Sequence, residues 1–187
     1  GVDYVDLLLI HDPHDIEAPL AAGAAIDEMQ RLRDEGRIRH LGLGCRHHDF
    51  HLRALESGRI EALITFMDYT LLSQSAGERL LPEAAARDVG VILASVLAMG
   101  QLAGPEPNPR KHPRAHAMCA WANERGVSIR DLALQFAMDA PTAGCVLIGP
   151  ATADEVDQCI DSAERCIDPT LWDEFHETFS IRPATVS

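Results

Sequence analysis

A chain of 187 residues with 47% hydrophobic content is long enough to bury one substantial core and too apolar for a disordered or fibrous protein. Its 29 acidic residues against 16 basic ones, a net charge of −13, repel nucleic acid and anionic membrane and leave small molecules or proteins as the expected partners. Five cysteines, odd in number and without a CxxC pair, argue against a disulfide framework or zinc knuckle; with no signal-peptide flank and no bilayer-spanning apolar run, a soluble cytoplasmic protein is expected.

The first extended run, "YVDLLLIH", is apolar on both parities and then breaks into "DPHD". Alternation puts Val5, Leu7, Leu9 and His11 on one face and Asp6, Leu8 and Ile10 on the other. His11 therefore stands at the C-terminal tip of its strand, the end at which parallel α/β folds gather ligands. The same position also suits a structural histidine bonded to neighbouring backbone. Pro19 opens a segment in which Ile26, Met29 and Leu32 recur at helical spacing, and Gly36 falls where a left-handed C-terminal cap belongs.

"RHLGLGC" reads as the second strand, after which Asp49 can cap a short helix ending near Gly58. "ALITFMDY" is the third strand, with Tyr69 near its tip; Ser75 and Pro82 flank the next helix start, with a break near the proline. "VGVILASV" is the fourth, followed by "GPEPNPRKHPRAH", an excursion from Gly104 to His116 that suits either a binding loop or a plain connection. Ser128 with Asp131, and Thr152 with Glu155, match the [ST]xx[DE] capping box on either side of the fifth strand, "GCVLIGP". A last helix starts at Asp168 and Pro169 and presents Leu171 and Phe175. Short strands apolar on both parities, alternating with helices and with no dividing linker, specify parallel βα units in a single domain over 1–187.

Four blocks, in order, make the chain familiar: "DYVDLLLIHDP", "AIDEMQRLRDEGRIRHLGLG", "VGVILASVLAMGQLAG" and "VSIRDLALQFAMDAPTAGCVLIGPATADEVDQCI". Together they resemble the second part of the aldo-keto reductase superfamily, and "FMDYTLLSQ" and "LAMGQLAG" bring it nearest to the bacterial sugar (fucose or threo-aldose type) dehydrogenase branch. The resemblance implies a partial TIM (β/α)8 barrel, with five parallel strands corresponding to family strands four to eight and the first three βα units lacking. It also implies NADP or NAD across the C-terminal rim and hydride transfer to or from a small carbonyl or sugar substrate. Of the family's catalytic tyrosine, lysine, aspartate and histidine, only the histidine carries over, at His11, where it is expected to hydrogen-bond the substrate oxygen. Tyr4 lies at the wrong end of its strand, and Lys111, the sole lysine, lies in the proline-rich excursion.

By the same resemblance, cofactor contacts fall at Gly44 and Cys45, at Tyr69, at Ser95, Leu97 and Gly100 beside the pyrophosphate, and at Gly149, Ala151 and Thr152 beside the adenosine phosphate. The family's Ser-Asn pair is replaced by Gly44 and Cys45, its strand-six glutamine falls near Phe66, and its nicotinamide-stacking aromatic corresponds to Ala94. Its 2′-phosphate-gripping Arg or Lys falls at Ala151 or Thr152 and the following Asn at Cys159, which leaves NADP and NAD both open. Two other readings stand beside this one. A reductase-like module could bind without reducing anything, or the histidines of "HDPHD" and "CRHHDFH" could hold a metal for a barrel hydrolase, although HExxH is absent. An unclosed five-stranded sheet would also expose two edges, so self-association is expected.

Overall fold

Parallel pairing in sequence order organises the computed structural model, which describes residues 1–141 and 143–185. The strands are β1 (Val5–His11), β2 (Ile38–Gly44), β3 (Ala62–Phe66), β4 (Gly90–Ala94) and β5 (Ala143–Leu147). Helices lie between and after them: α1 (Glu17–Leu20), α2 (Ala25–Asp34), α3 (His48–Glu56), α4 (Ser75–Glu78), α5 (Leu80–Ala85), α6 (Pro113–Glu124), α7 (Ile129–Met138), α8 (Ala153–Glu164) and α9 (Pro169–Phe179). Register runs Leu8 to Leu41, Leu43 to Leu63, Leu63 to Val91 and Leu93 to Val146, with a shift between Val91 and Ile92. Among the described residues β1 and β5 do not pair with each other, so the sheet stays open.

The two faces differ as the alternation requires. Leu41, Leu43, Leu63, Val91 and Leu93 are fully buried in the main core, and Leu8 and Ile10 pack against it. Each fully buried leucine stabilises the fold by about 1.5–3 kcal/mol. On the opposite parity Leu7, Leu9, Ile64, Phe66 and Ile92 are only half-buried, and Leu147 is 50% exposed. Gly42 faces this side, where a Cβ would fall 2.5 Å from both the Ala62 carbonyl oxygen and Leu9 Cδ2, so strand packing here requires glycine.

Local chemistry sets the helix limits. The Gly36 amide bonds the Arg33 carbonyl and that of Arg37 bonds Leu32, with Gly36 at φ 73°, so the left-handed cap closes α2. The break between α4 and α5 falls at Arg79, just after Glu78, whose carbonyl the Pro82 ring would meet in a continuous helix. Two expectations are corrected. Asp49 lies inside the first turn of α3 and His47 occupies the cap position without a side-chain bond, while the end of the proline-rich excursion is helical because Pro113 starts α6. Phe175 of α9 is fully buried with its ring edge-on to Trp121 of α6 at 5.1 Å, which seats the last helix. No helix among the described residues is long and apolar enough to cross a membrane.

Candidate functional site

Beyond the C-terminal end of β4 the chain turns sharply. Ser95, Ala98 and Met99 hold φ values of 53°, 49° and 54°, and Gly100 holds 89°. Left-handed backbone at three side-chain-bearing residues costs on the order of 1 kcal/mol each and concentrates where ligands bind. The turn is fixed from below by buried Val96 and Leu102, and internally by amide bonds from Ala98 to the Ser95 carbonyl (2.9 Å) and from Gly100 and Leu102 to that of Leu97 (3.1 Å each). Among the described residues the amides of Leu97 and Met99 find no acceptor, so they are available to an anion.

Facing this loop is a second wall made by the segment after β5 and the first turns of α8. The groove between them encloses about 950 Å³, the upper range for small-molecule sites. Ser95, Leu97, Gly100, Gly149 and Thr152 all line it. A Cβ on Gly149 would meet nothing within 4 Å, so that glycine widens the opening rather than relieving a clash.

Arg130, at the start of α7, also lines the groove. Its guanidinium donates to the Ala103 carbonyl (3.0 Å), Gln158 Oε1 (2.8 Å) and Ser162 Oγ (2.9 Å), tying the loop to α8 through neutral acceptors. Among the described residues it has no carboxylate partner. The Ser128 cap places it: Ser128 Oγ accepts from the Arg130 amide (3.2 Å), while Asp131 accepts from the Ser128 amide (3.3 Å) and pairs with Arg165 Nε (3.0 Å). At the other wall Thr152 Oγ1 accepts from the Glu155 amide (3.2 Å), and Glu155 reaches back to the Ala151 amide (2.6 Å).

Near the tips of β2 and β3 lies a separate polar cluster. His48 Nε2 is 2.6 Å from the carboxylate of buried Asp68, which also accepts from the Thr65 hydroxyl. His51 is fully buried with Nε2 2.9 Å from the Cys45 carbonyl; a carbonyl only accepts, so the proton sits on Nε2. Burial lowers the His51 pKa, and burial also raises that of the Cys45 thiol, whose sulfur lies 3.6 Å from the ring. His47 stands against Phe50, and His11 lies next to Asp12. Among the described residues no three such side chains converge as a metal site would require.

The model of the Aldo/keto reductase family matches residues 1–178. The chain belongs to this family. It is 28% identical over 188 residues to a D-threo-aldose 1-dehydrogenase of Pseudomonas sp, covering 95% of this chain and 57% of that protein. It is 29% identical over 167 residues to an L-galactose dehydrogenase of Arabidopsis thaliana, covering 84% of this chain and 52% of that protein. The chain thus spans little more than half the length of these curated relatives. In fold it is similar to the aldo-keto reductase AKR11C1 from Bacillus halodurans, apo form, with a TM-score of 0.80 at 20% identity, covering 99% of this chain and 64% of that one. The five parallel strands correspond to part of a TIM barrel of the aldo-keto reductase type.

Within this aldo/keto reductase chain, the remaining residues singled out in the sequence lie apart from the groove. His11 is at the C-terminal tip of β1 with its side chain 85% exposed and Nε2 3.5 Å from the Asp12 carboxylate. Gly44 and Cys45 are buried and tie the strand tips together: the Gly44 carbonyl accepts from Asp12 (2.8 Å), and the Cys45 amide donates to Ile64 (3.1 Å). The Cys45 side chain turns to His51. Ala151 is not part of the groove lining, and its amide is occupied by Glu155. Tyr69 differs most from expectation. Its ring is buried and stacked on Phe136 at 4.9 Å, and its hydroxyl accepts from the Ala184 amide at 2.9 Å, so it secures the C-terminal segment and does not face the groove. Sequence reasoning missed Arg130 and the His48–Asp68 pair. The first has only a helix start as its local signal, and the second joins residues 20 apart.

Proposed function

We propose that this chain forms the dinucleotide-holding part of an NAD(P)-dependent oxidoreductase that interconverts a carbonyl and an alcohol on a small, sugar-like substrate. The observation that carries the reading is the groove, whose left-handed loop presents amides that find no acceptor among the described residues, beside an Arg130 that has no carboxylate partner among them, in a family with a solved member in holo form. Those groups fit a diphosphate: the Leu97 and Met99 amides and the guanidinium bind its oxygens, while Gly149 keeps the opposite wall open. When bound, the nicotinamide supplies hydride exchange with the substrate carbon. His11 donates a hydrogen bond to the substrate oxygen from the strand tip, and Asp12 orients its ring. Five free cysteines fit a reducing cytoplasm.

One observation favours binding without turnover by this chain alone. Neither tyrosine stands at the rim as a proton donor. Tyr4 lies near the start of β1 beneath Arg39, 4.3 Å from its ring centroid, and Tyr69 is engaged as described. Lys111, the only lysine, is exposed in the connection before α6. Titration of the 187-residue chain with reduced dinucleotides, followed by nicotinamide fluorescence, tests the proposal. Saturable binding is expected, lost in Gly149→Trp, with no consumption of added aldose or aldehyde. Absence of binding, or equal binding by the groove-filled variant, would overturn the reading; turnover would overturn its binding-only part.

A further inference from the structure

Outside the groove, a second cavity of about 280 Å³ opens between α7, α9 and the segment after β3. It shares no lining residue with the groove. Tyr69, Phe136, Asp139, Trp172, His176 and Pro183 form its walls. The rings support one another: Phe136 is stacked on Tyr69 at 4.9 Å and meets His176 edge-on at 6.4 Å, while Trp172 is tilted against His176 at 5.5 Å. Trp172 and His176 stand four residues apart on α9 and so share one face of it. The volume lies just below the range for drug-sized ligands, so an occupant has to be small.

Two polar groups in this mostly aromatic wall are unanswered. His176 Nε2 is buried and has no hydrogen-bond partner among the described residues. Buried polar nitrogens are nearly always satisfied, so this one calls for a partner from outside the chain. Burial holds the His176 pKa below its ordinary value, which keeps the ring neutral; with the proton on Nδ1, Nε2 accepts. Asp139, the exposed C-cap of α7, enters no ion pair among the described residues, and neither Lys nor Arg lines the cavity. Its charge is felt at the wall, since burial and then Asp139 raise the Tyr69 pKa. We infer that this cavity binds a small organic cation with N–H donors, an alkylammonium or guanidinium group, with Asp139 as counter-ion, His176 Nε2 as acceptor and Tyr69, Phe136 and Trp172 as aromatic walls. The net charge of −13 draws such cations toward the chain. A neutral apolar guest would leave both polar groups unanswered, and an anion would meet the carboxylate.

Titration of the 187-residue chain with n-butylammonium chloride at fixed ionic strength, followed by the indole N–H resonances of its two tryptophans, tests this. Trp172 is expected to shift saturably, whereas Trp121, packed on Phe175 and Arg125, stays in place. The neutral match in size, n-butanol, is expected to bind roughly tenfold more weakly. Asp139→Asn removes only an exposed charge, and His176→Phe keeps a ring while removing the nitrogen. Each is expected to weaken butylammonium severalfold and to leave NADH binding unchanged. A Trp172 resonance that does not move, equal binding of the alcohol, or undiminished binding by both variants would overturn the cation site. None of these results touches the dinucleotide groove.

Discussion

His51 shows what burial does to a titratable side chain in this molecule. It is fully buried in α3 against Cys45, and desolvation holds its pKa below the ordinary value near 6.5, with the Cys45 carbonyl and Asp68 opposing. The folded state therefore binds fewer protons than the unfolded chain between that lowered value and about 6.5. Stability contributed by the neutral ring is complete above this window and is lost as pH falls through it, with a slope of up to about 1.4 kcal/mol per pH unit. His176 is shifted the same way, again by burial, so the two effects add. The unfolding midpoint is expected to fall on acidification below about pH 6.5. His51→Gln, which can still donate to the Cys45 carbonyl, is expected to flatten that fall; an unchanged slope would show that His51 does not drive it. Little of this was legible in "CRHHDFH", where three histidines resemble metal ligands. Which partner each takes depends on Asp68 and Phe50 and on the Cys45 backbone, so the assignment exists only once β2, α3 and the turn after β3 are in place.

Among the elements, the first turn of α7 links stability to the groove. The Ser128 hydroxyl holds the Arg130 amide, and the Arg130 guanidinium in turn holds the loop at Ala103 and α8 at Gln158 and Ser162. Ser128→Ala is expected to cost about 1 kcal/mol, seen as a lower denaturant midpoint at unchanged slope, and to weaken dinucleotide binding in parallel. Loss of stability with binding intact would mean that the cap does not position Arg130. Elements of this kind were the most legible part of the sequence. All five strands lie within a few residues of their expected places because short runs apolar on both parities, set between helical patterns, mark parallel strands, although one face of the sheet here is only half-buried. Ser128 and Thr152 act as caps as their spacing indicates, and Asp168 caps the last helix at its expected start, whereas Asp49 caps nothing, because one position decides whether an aspartate caps a helix or merely begins it. Ser95, Leu97 and Gly100, which the family resemblance singled out, stand on the loop wall of the groove. Arg130 was not legible, since its three bonds reach 27, 28 and 32 residues along the chain.

At the scale of the whole molecule, an open parallel sheet leaves β1 and β5 as edges, with Val5 and Leu147 exposed on them and Val156 and Ile160 exposed on the neighbouring α8. Such edges recruit further strands, while the net charge of −13 opposes close approach of copies. Self-association that grows with protein concentration and with added salt is therefore expected by light scattering after size exclusion. A single monomer mass across that range would contradict it. The central claim, that the two walls beyond β4 and β5 clasp a dinucleotide, is tested most directly by backbone amide hydrogen exchange with and without saturating NADH. Slowed exchange confined to residues 95–103 and the first turn of α8 is the predicted result; unchanged exchange there, or protection centred elsewhere, would contradict the account.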